Sequence, residues 1–209
     1  MEGVIKYQSH WQNVDCITAN EVAELDFYRN KIWQAGGIGI ENNVGYGNIS
    51  IRDKQNPAHF IISGSQTGQH ENLQNTQYSK VIYWKIKDNM LFCKGRIQAS
   101  SEALTHAILY EVCADIQTVI HIHNKNFWHA NIDVLPTSDK KSAYGTPEIT
   151  QSVRFLFTNI MLQNRKNETP ILPNIIIMGG HEDGILVFGR TLAETTDFWL
   201  NMLNPIQII

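Results

Sequence analysis

The sequence predicts a layered α/β domain built on a mixed sheet, and three observations predict it. Up to about residue 95 the apolar residues fall, after one helix, into short alternating runs with the period of antiparallel strands. Beyond that point helical patterns alternate with short continuous apolar runs, which is how strands covered on both faces read. The chain has 209 residues, 43% apolar and 18% charged, which suits a single domain over 1–209 with a substantial core.

The elements follow in order. Val4–Trp11 is a short lead-in, strand or coil. Thr18-Ala-Asn-Glu21 has the form of a capping box, and Val22, Leu25, Tyr28, Ile32 and Trp33 recur at helical spacing until Gly36-Gly37 stops the helix. Gly37–Asp53 is rich in glycine, and Gly45, Gly47 and Asn48 mark a turn where backbone approaches something closely. Its end is a strand with Ile49 and Ile51 on one face, Ser50 and Arg52 on the other. His59–Ser63 is a further strand that runs into the turn Gly64–Gly68. Val81–Lys87 and Met90–Lys94 pair across a two-residue turn, Asp88-Asn89. A helix from about Ser100 carries Leu104, Ala107, Ile108 and Val112 on one face, and Thr118–His123 is a buried strand. Phe127–Asn131 is a short helix. Thr146 caps a helix that has Pro147 at its first position and runs to about Arg165. Asn174–Met178 is a buried strand that turns through Gly179–Gly184 into Ile185–Phe188, and Thr191–Leu203 closes the chain as a helix.

Bulk properties exclude several function classes. A net charge of −3 gives no basis for binding nucleic acid or an anionic membrane surface, so any anion must be held by a few placed groups. Cys16, Cys93 and Cys113 form no close pair, which argues for a reducing compartment rather than a disulfide framework. The N-terminus lacks the basic start and apolar run of a signal peptide, and no apolar run approaches the roughly 20 residues of a membrane span. A cytoplasmic protein is expected.

Chemistry concentrates in Ser100–Asn124. The strand period of two puts His121 and His123 on one face and Ile120 and Ile122 on the other, so the two imidazoles can share a metal ion. His181, in a glycine-flanked turn after another buried strand, is the best third ligand, and three histidines with an open position are one arrangement of a catalytic metal. By itself, His-Ile-His is more often a strand end with solvated histidines. His129 is the nearest substitute ligand in sequence; His10, His59, His70 and His106 read as surface or core residues. Ser100-Ser101-Glu102 places hydroxyls and a carboxylate at a helix start, where unpaired N–H groups favour phosphate. The commoner meaning of such a triplet is a serine cap with an acidic first turn. Beside a metal and a phosphate, Glu102 would be an acid/base. Asn48 and the Ser63–Gly68 turn could complete a backbone nest for an anion, or be ordinary turns.

Laid out in this order, GNISIRD, FIISGSQTG, ASSEALTHAILYE, VIHIHN, AYGTPEI and IIMGGHEDGILVFG resemble the class II aldolase/adducin head domain family, from about Thr18 to Trp199. The resemblance implies a three-layer α/β/α fold with a central mixed, mostly antiparallel sheet, a homotetramer with sites at subunit interfaces, and a divalent metal, most often zinc. It implies His121, His123 and His181 as metal ligands and Glu102 as the acid/base. It implies Asn48, Ser63, Gly64, Ser100 and Ser101 as the phosphate cradle of a small phosphorylated substrate. The chain departs from the family pattern at three points: Glu182-Asp183 separate His181 from Gly184, the turn reads SGSQTG, and the segment after His123 is short. That segment has no tyrosine where fuculose-phosphate-type aldolases keep a catalytic one, and Tyr144 is only a positional stand-in. A metal-dependent carbon–carbon lyase is the expected function; a dehydratase or epimerase of the same family, or a non-catalytic adducin-like module, are the alternatives.

Overall fold

A computed structural model describes residues 4–164 and 174–203. Eight strands form one sheet: β1 (Gln8–Asn13), β4 (Asn48–Arg52), β5 (Phe60–Ser63), β6 (Tyr78–Lys85), β7 (Met90–Gly95), β8 (Thr118–His123), β9 (Asn174–Ile177) and β10 (Gly184–Gly189). Their spatial order is β1-β7-β6-β5-β4-β8-β10-β9. Only the edge pair β1–β7 is parallel; every other neighbouring pair is antiparallel. A small hairpin, β2 (Gly39–Glu41) with β3 (Val44–Tyr46), stands apart from this sheet. Among the described residues there are also five α-helices: α1 (Ala19–Gln34), α2 (Ala103–Val112), α3 (Lys125–Asn131), α4 (Pro147–Asn164) and α5 (Leu192–Leu203).

Two hydrophobic cores lie on opposite faces of the sheet, which makes the three layers. Ile49, Ile120, Ile122, Ile175, Ile177, Ile185 and Val187 point to the face covered by α1 and α5, with Leu25, Ile32 and Trp199 filling it. Ile62, Val119, Ile176, Leu186 and Phe188 point to the other, where α2 and α4 supply Leu104, Ile108, Val153 and Phe157. Strand alternation thus divides the side chains as the sequence predicts. Among the described residues no helix is long and apolar enough to cross a membrane.

Most element positions agree with the sequence reading, and the departures have physical causes. The capping box of α1 is present, with Thr18 and Glu21 bonded reciprocally. Helix α2 opens at Ala103, not near Ser100: the Ser100 carbonyl accepts from Ala103 N–H at 3.0 Å and its hydroxyl from Glu102 N–H at 3.5 Å, closing a turn ahead of the helix. Every α2 residue from Ala103 to Tyr110 is buried, so the helix is enclosed rather than half exposed. The expected two-residue turn at Asp88-Asn89 is instead a 3-10 turn, Ile86–Asp88, closed by left-handed Asn89, because Ile86 plugs into the core. The preceding strand accordingly runs over Tyr78–Lys85. Helix α4 starts at Pro147 with Thr146 just before it, as expected, and the Thr146 hydroxyl donates to the Ala143 carbonyl at 2.7 Å. The expected end of α4 at Arg165 lies outside the described residues.

A polar cluster crosses the α2 face. Ser50 Oγ on β4 lies 2.7 Å from His106 Nδ1 and 2.8 Å from the Tyr110 hydroxyl, both on α2. Burial pushes the His106 imidazole down to about 3, so it folds neutral. Between about pH 6.5 and 3 the unfolded chain therefore binds a proton the folded chain does not, and stability falls as pH falls. His106 should contribute a slope of about 1.4 kcal/mol per pH unit there. Denaturant unfolding across this window should show a flatter acid limb for His106→Gln than for the wild type, whatever the change in stability at neutral pH.

Candidate metal centre and anion pocket

The site begins with the register of β8. His121 lies opposite Asn48 on β4 and Leu186 on β10, and His123 lies opposite Gly184. Both histidines continue the parity of Val119, so they leave the strand on the α2 side of the sheet. The β9–β10 connection supplies the third imidazole. There His181 N–H bonds the Met178 carbonyl at 3.2 Å, and its own carbonyl accepts from Gly184 N–H at 3.0 Å. The two inserted residues are absorbed by a left-handed Asp183, φ 66°, whose carbonyl accepts from Asn124 N–H at 3.0 Å. The insertion leaves His181 in place: each pair among His121, His123 and His181 has ring centroids 4.9 Å apart.

All three rings are buried, and one nitrogen from each lies within 4.8 Å of the other two. A single ion with metal–nitrogen bonds of about 2.0–2.1 Å can bridge such a set after small ring adjustments. The chemistry of the donors fits. Burial, and then the neighbouring His123, His181 and His106, hold the His121 imidazole well below its ordinary range, so it is a neutral ligand at physiological pH. Its Nε2 is buried without a hydrogen-bond partner. The Asn48 amide nitrogen is placed 3.3 Å from His121 Nδ1. If Nε2 faces an ion, Nδ1 carries the proton and the facing amide atom must be the oxygen; a half-turn of the amide achieves this without changing its shape. That orientation also puts the amide nitrogen where the unpartnered Oδ1 now lies, in a residue that lines the pocket.

One pocket gathers most of the sequence-predicted residues. His121, His181, Glu102, Asn48, Gly64, Ser100 and Ser101 line it, together with Gln66, Thr67, Gly68 and Tyr144. His123 lines an adjacent surface pocket, its ring 5.3 Å from that of Tyr46, which lines both. Ser63 is not in the pocket wall: its hydroxyl accepts from Ile49 N–H at 3.2 Å within the sheet. Glu102 is 2% exposed, with Oε2 accepting from the Thr105 hydroxyl at 2.7 Å and Oε1 buried without a partner. One carboxylate oxygen is thus fixed and the other left for a proton or a ligand. Tyr144 has its ring 4.9 Å from that of His181 and tilted by 32° to it, with Lys6 Nζ 3.6 Å from the Tyr144 ring centroid. His129 lies apart from this trio, beside Glu182 and Asp183 on the surface.

Sequence reasoning missed what stands behind the pocket. On α1, Arg29 and Trp33 donate to the Thr67 and Gly68 carbonyls at 3.0 Å each, fixing the Gly64–Gly68 turn. That turn is close-packed, since a Cβ at Gly68 would come within 2.1 Å of the Gly39 carbonyl oxygen. The available signal was an arginine on the apolar stripe of α1, between Leu25 and Ile32.

Known proteins agree with this architecture. The family model for the class II aldolase and adducin N-terminal domain matches residues 41–204. Among solved structures the chain is similar to an L-fuculose 1-phosphate aldolase, with 17% identity and a TM-score of 0.64 over 89% of this chain and 82% of that one. An L-fuculose 1-phosphate aldolase from Glaciozyma antarctica is 16% identical, with a TM-score of 0.53 over 91% of this chain and 73% of the other. A sugar-phosphate aldolase from Thermotoga maritima is 13% identical, with a TM-score of 0.56 over 88% and 95%. At these identities the likeness is one of fold. No curated protein matches the chain by sequence.

Chelator-treated protein reloaded with zinc should hold about one ion per chain, and His121→Ala or His123→Ala should lose most of it, read by elemental analysis after gel filtration. Unchanged zinc content in both variants would remove the three-histidine centre.

Proposed function

Because the chain belongs to the class II aldolase and adducin N-terminal domain family, we propose that it is a divalent-metal-dependent carbon–carbon lyase acting on a small sugar phosphate or a related hydroxy-carbonyl compound. The observation that carries the proposal is the meeting of three buried imidazoles, a half-satisfied buried carboxylate and a turn-lined polar wall in one place. His121, His123 and His181 would hold the ion. When bound, a divalent cation such as zinc supplies Lewis-acid stabilisation of the negative charge that develops as a carbonyl compound becomes an enediolate.

The protein's own groups divide the remaining work. Ser100, Ser101, Asn48 and the Gly64–Gly68 turn bind the phosphate and so position the carbonyl end of the substrate at the histidines. Glu102 Oε1 accepts the proton of the hydroxyl β to the carbonyl; as that C–O bond becomes C=O, the carbon–carbon bond breaks and its electron pair stays on the carbon next to the carbonyl. Thr105 keeps the carboxylate aimed during the transfer by holding Oε2. Burial of Glu102 and of all three rings keeps bulk water from quenching the carbanionic carbon at random. The family resemblance extends the proposal to zinc as the ion, a homotetramer, a single domain over the whole chain and a cytoplasmic setting.

Glu102→Gln should lower turnover by about 100-fold or more while leaving zinc content unchanged, measured on a panel of ketose phosphates by product analysis. Aldehyde fragments from the wild type support the lyase. Loss of water or a changed stereocentre would place it instead with the dehydratases or epimerases of the family. A zinc-free protein silent on the whole panel would be a non-catalytic module.

A further inference from the structure

Arg29 is fully buried on α1 and forms no ion pair among the described residues. Its guanidinium donates to two carbonyls, Glu71 at 2.9 Å and Thr67 at 3.0 Å, and its Nε has no partner. Asp26, an acid on the same helix, has its Oδ1 taken by Leu73 N–H at 2.8 Å and the Tyr78 hydroxyl at 2.9 Å. Asp26 attracts the guanidinium only at longer range, and burial is the largest influence on Arg29, working against its charge. A charge taken out of water with carbonyl dipoles as its main partners is costly unless something anionic offsets it. Packing alone would be better served by an apolar residue of the same size.

What lies on the other side of its bonds points to the offsetting group. Thr67 and Gly68 line the same pocket as Glu102, Ser100 and Ser101. The Thr67–Gly68 peptide therefore has its carbonyl end on the guanidinium and its N–H end in a pocket-lining residue. A cation on the carbonyl oxygen polarises the peptide and strengthens its N–H as a donor. The second carbonyl, Glu71, anchors the chain just beyond the turn, so Arg29 fixes the turn's geometry as well as its polarity. Residue 29 also lies outside the stretch matched by the family model.

We propose that Arg29 is a positioning residue of the anion pocket, whose buried charge orients and polarises the Gly64–Gly68 turn toward a bound phosphate group. The proposal rests on the reading of the pocket as a phosphate site, but not on any reaction taking place there.

Inorganic phosphate is the direct probe, with thermal stability read against chloride at matched ionic strength. Phosphate should stabilise the zinc-loaded wild type, and Arg29→Gln, which removes the charge but can keep a carbonyl bond, should weaken phosphate binding about tenfold. Arg29→Lys should recover most of that loss. Arg29→Met, an apolar replacement of similar length, stands in if Arg29→Gln does not fold. A wild type that phosphate does not stabilise, or a neutral variant that binds phosphate as the wild type does, overturns the proposal. So does an Arg29→Lys no better than Arg29→Gln, because the arginine would then act by shape alone. Arg29-dependent phosphate binding in a protein that cleaves no sugar phosphate would support this inference while removing the proposed function.

Discussion

The alternation of side chains along β8 is the constraint on which the rest depends. The strand lies between β4 and β10 in the middle of the sheet, and both faces are covered. Ile120 and Ile122 must therefore enter the core under α1 and α5, and residues of the other parity must face α2. A slip of one residue would drive two imidazoles into an isoleucine core and turn the isoleucines toward Glu102. Hydrophobic burial on one face thus sets the position of the polar centre on the other. The isoleucines that do this touch no part of the pocket.

Against that frame, the polar groups are arranged so that each is half satisfied. Glu102 bonds Thr105 through one oxygen, His121 meets Asn48 through one nitrogen, and the other oxygen and nitrogen are left without partners in residues that line the same pocket. Burial keeps His121 neutral, so it can act as a ligand without first losing a proton at physiological pH. The pocket wall is fixed from behind by α1 through Arg29 and Trp33. The N-terminal segment ties the opposite wall: the Tyr7 hydroxyl reaches the Ala99 and Ser100 carbonyls, at 2.9 and 3.1 Å, and Lys6 Nζ donates to the Tyr144 carbonyl at 2.9 Å. The elements that carry the candidate ligands and the elements that hold them rigid are different parts of the chain.

Much of this was legible in the sequence because burial leaves a period. Thr118–His123 is readable to the residue, since a strand enclosed on both faces reads as a short run of apolar and β-branched residues, broken here only by the two histidines. The capping box of α1 was equally plain, because its hydrogen bonds are local. Less legible was whatever depended on contacts distant in sequence. The start of α2 was misplaced because the serine turn ahead of it competes with the helix for the same backbone groups. Ser63 looks like Ser100 in composition, yet its hydroxyl is used within the sheet. Tyr144 could be placed only by position, and its neighbour His181, 4.9 Å away between ring centroids, comes from a segment distant in sequence.

The central claim is that His121, His123 and His181 converge on one divalent ion in the pocket shared with Glu102. X-ray absorption at the zinc edge of the reloaded protein tests this most directly. The account predicts a first shell with three imidazole nitrogens at about 2.0–2.1 Å and a remaining light ligand or open position. A shell with fewer than three imidazoles, or one containing sulfur, would contradict it.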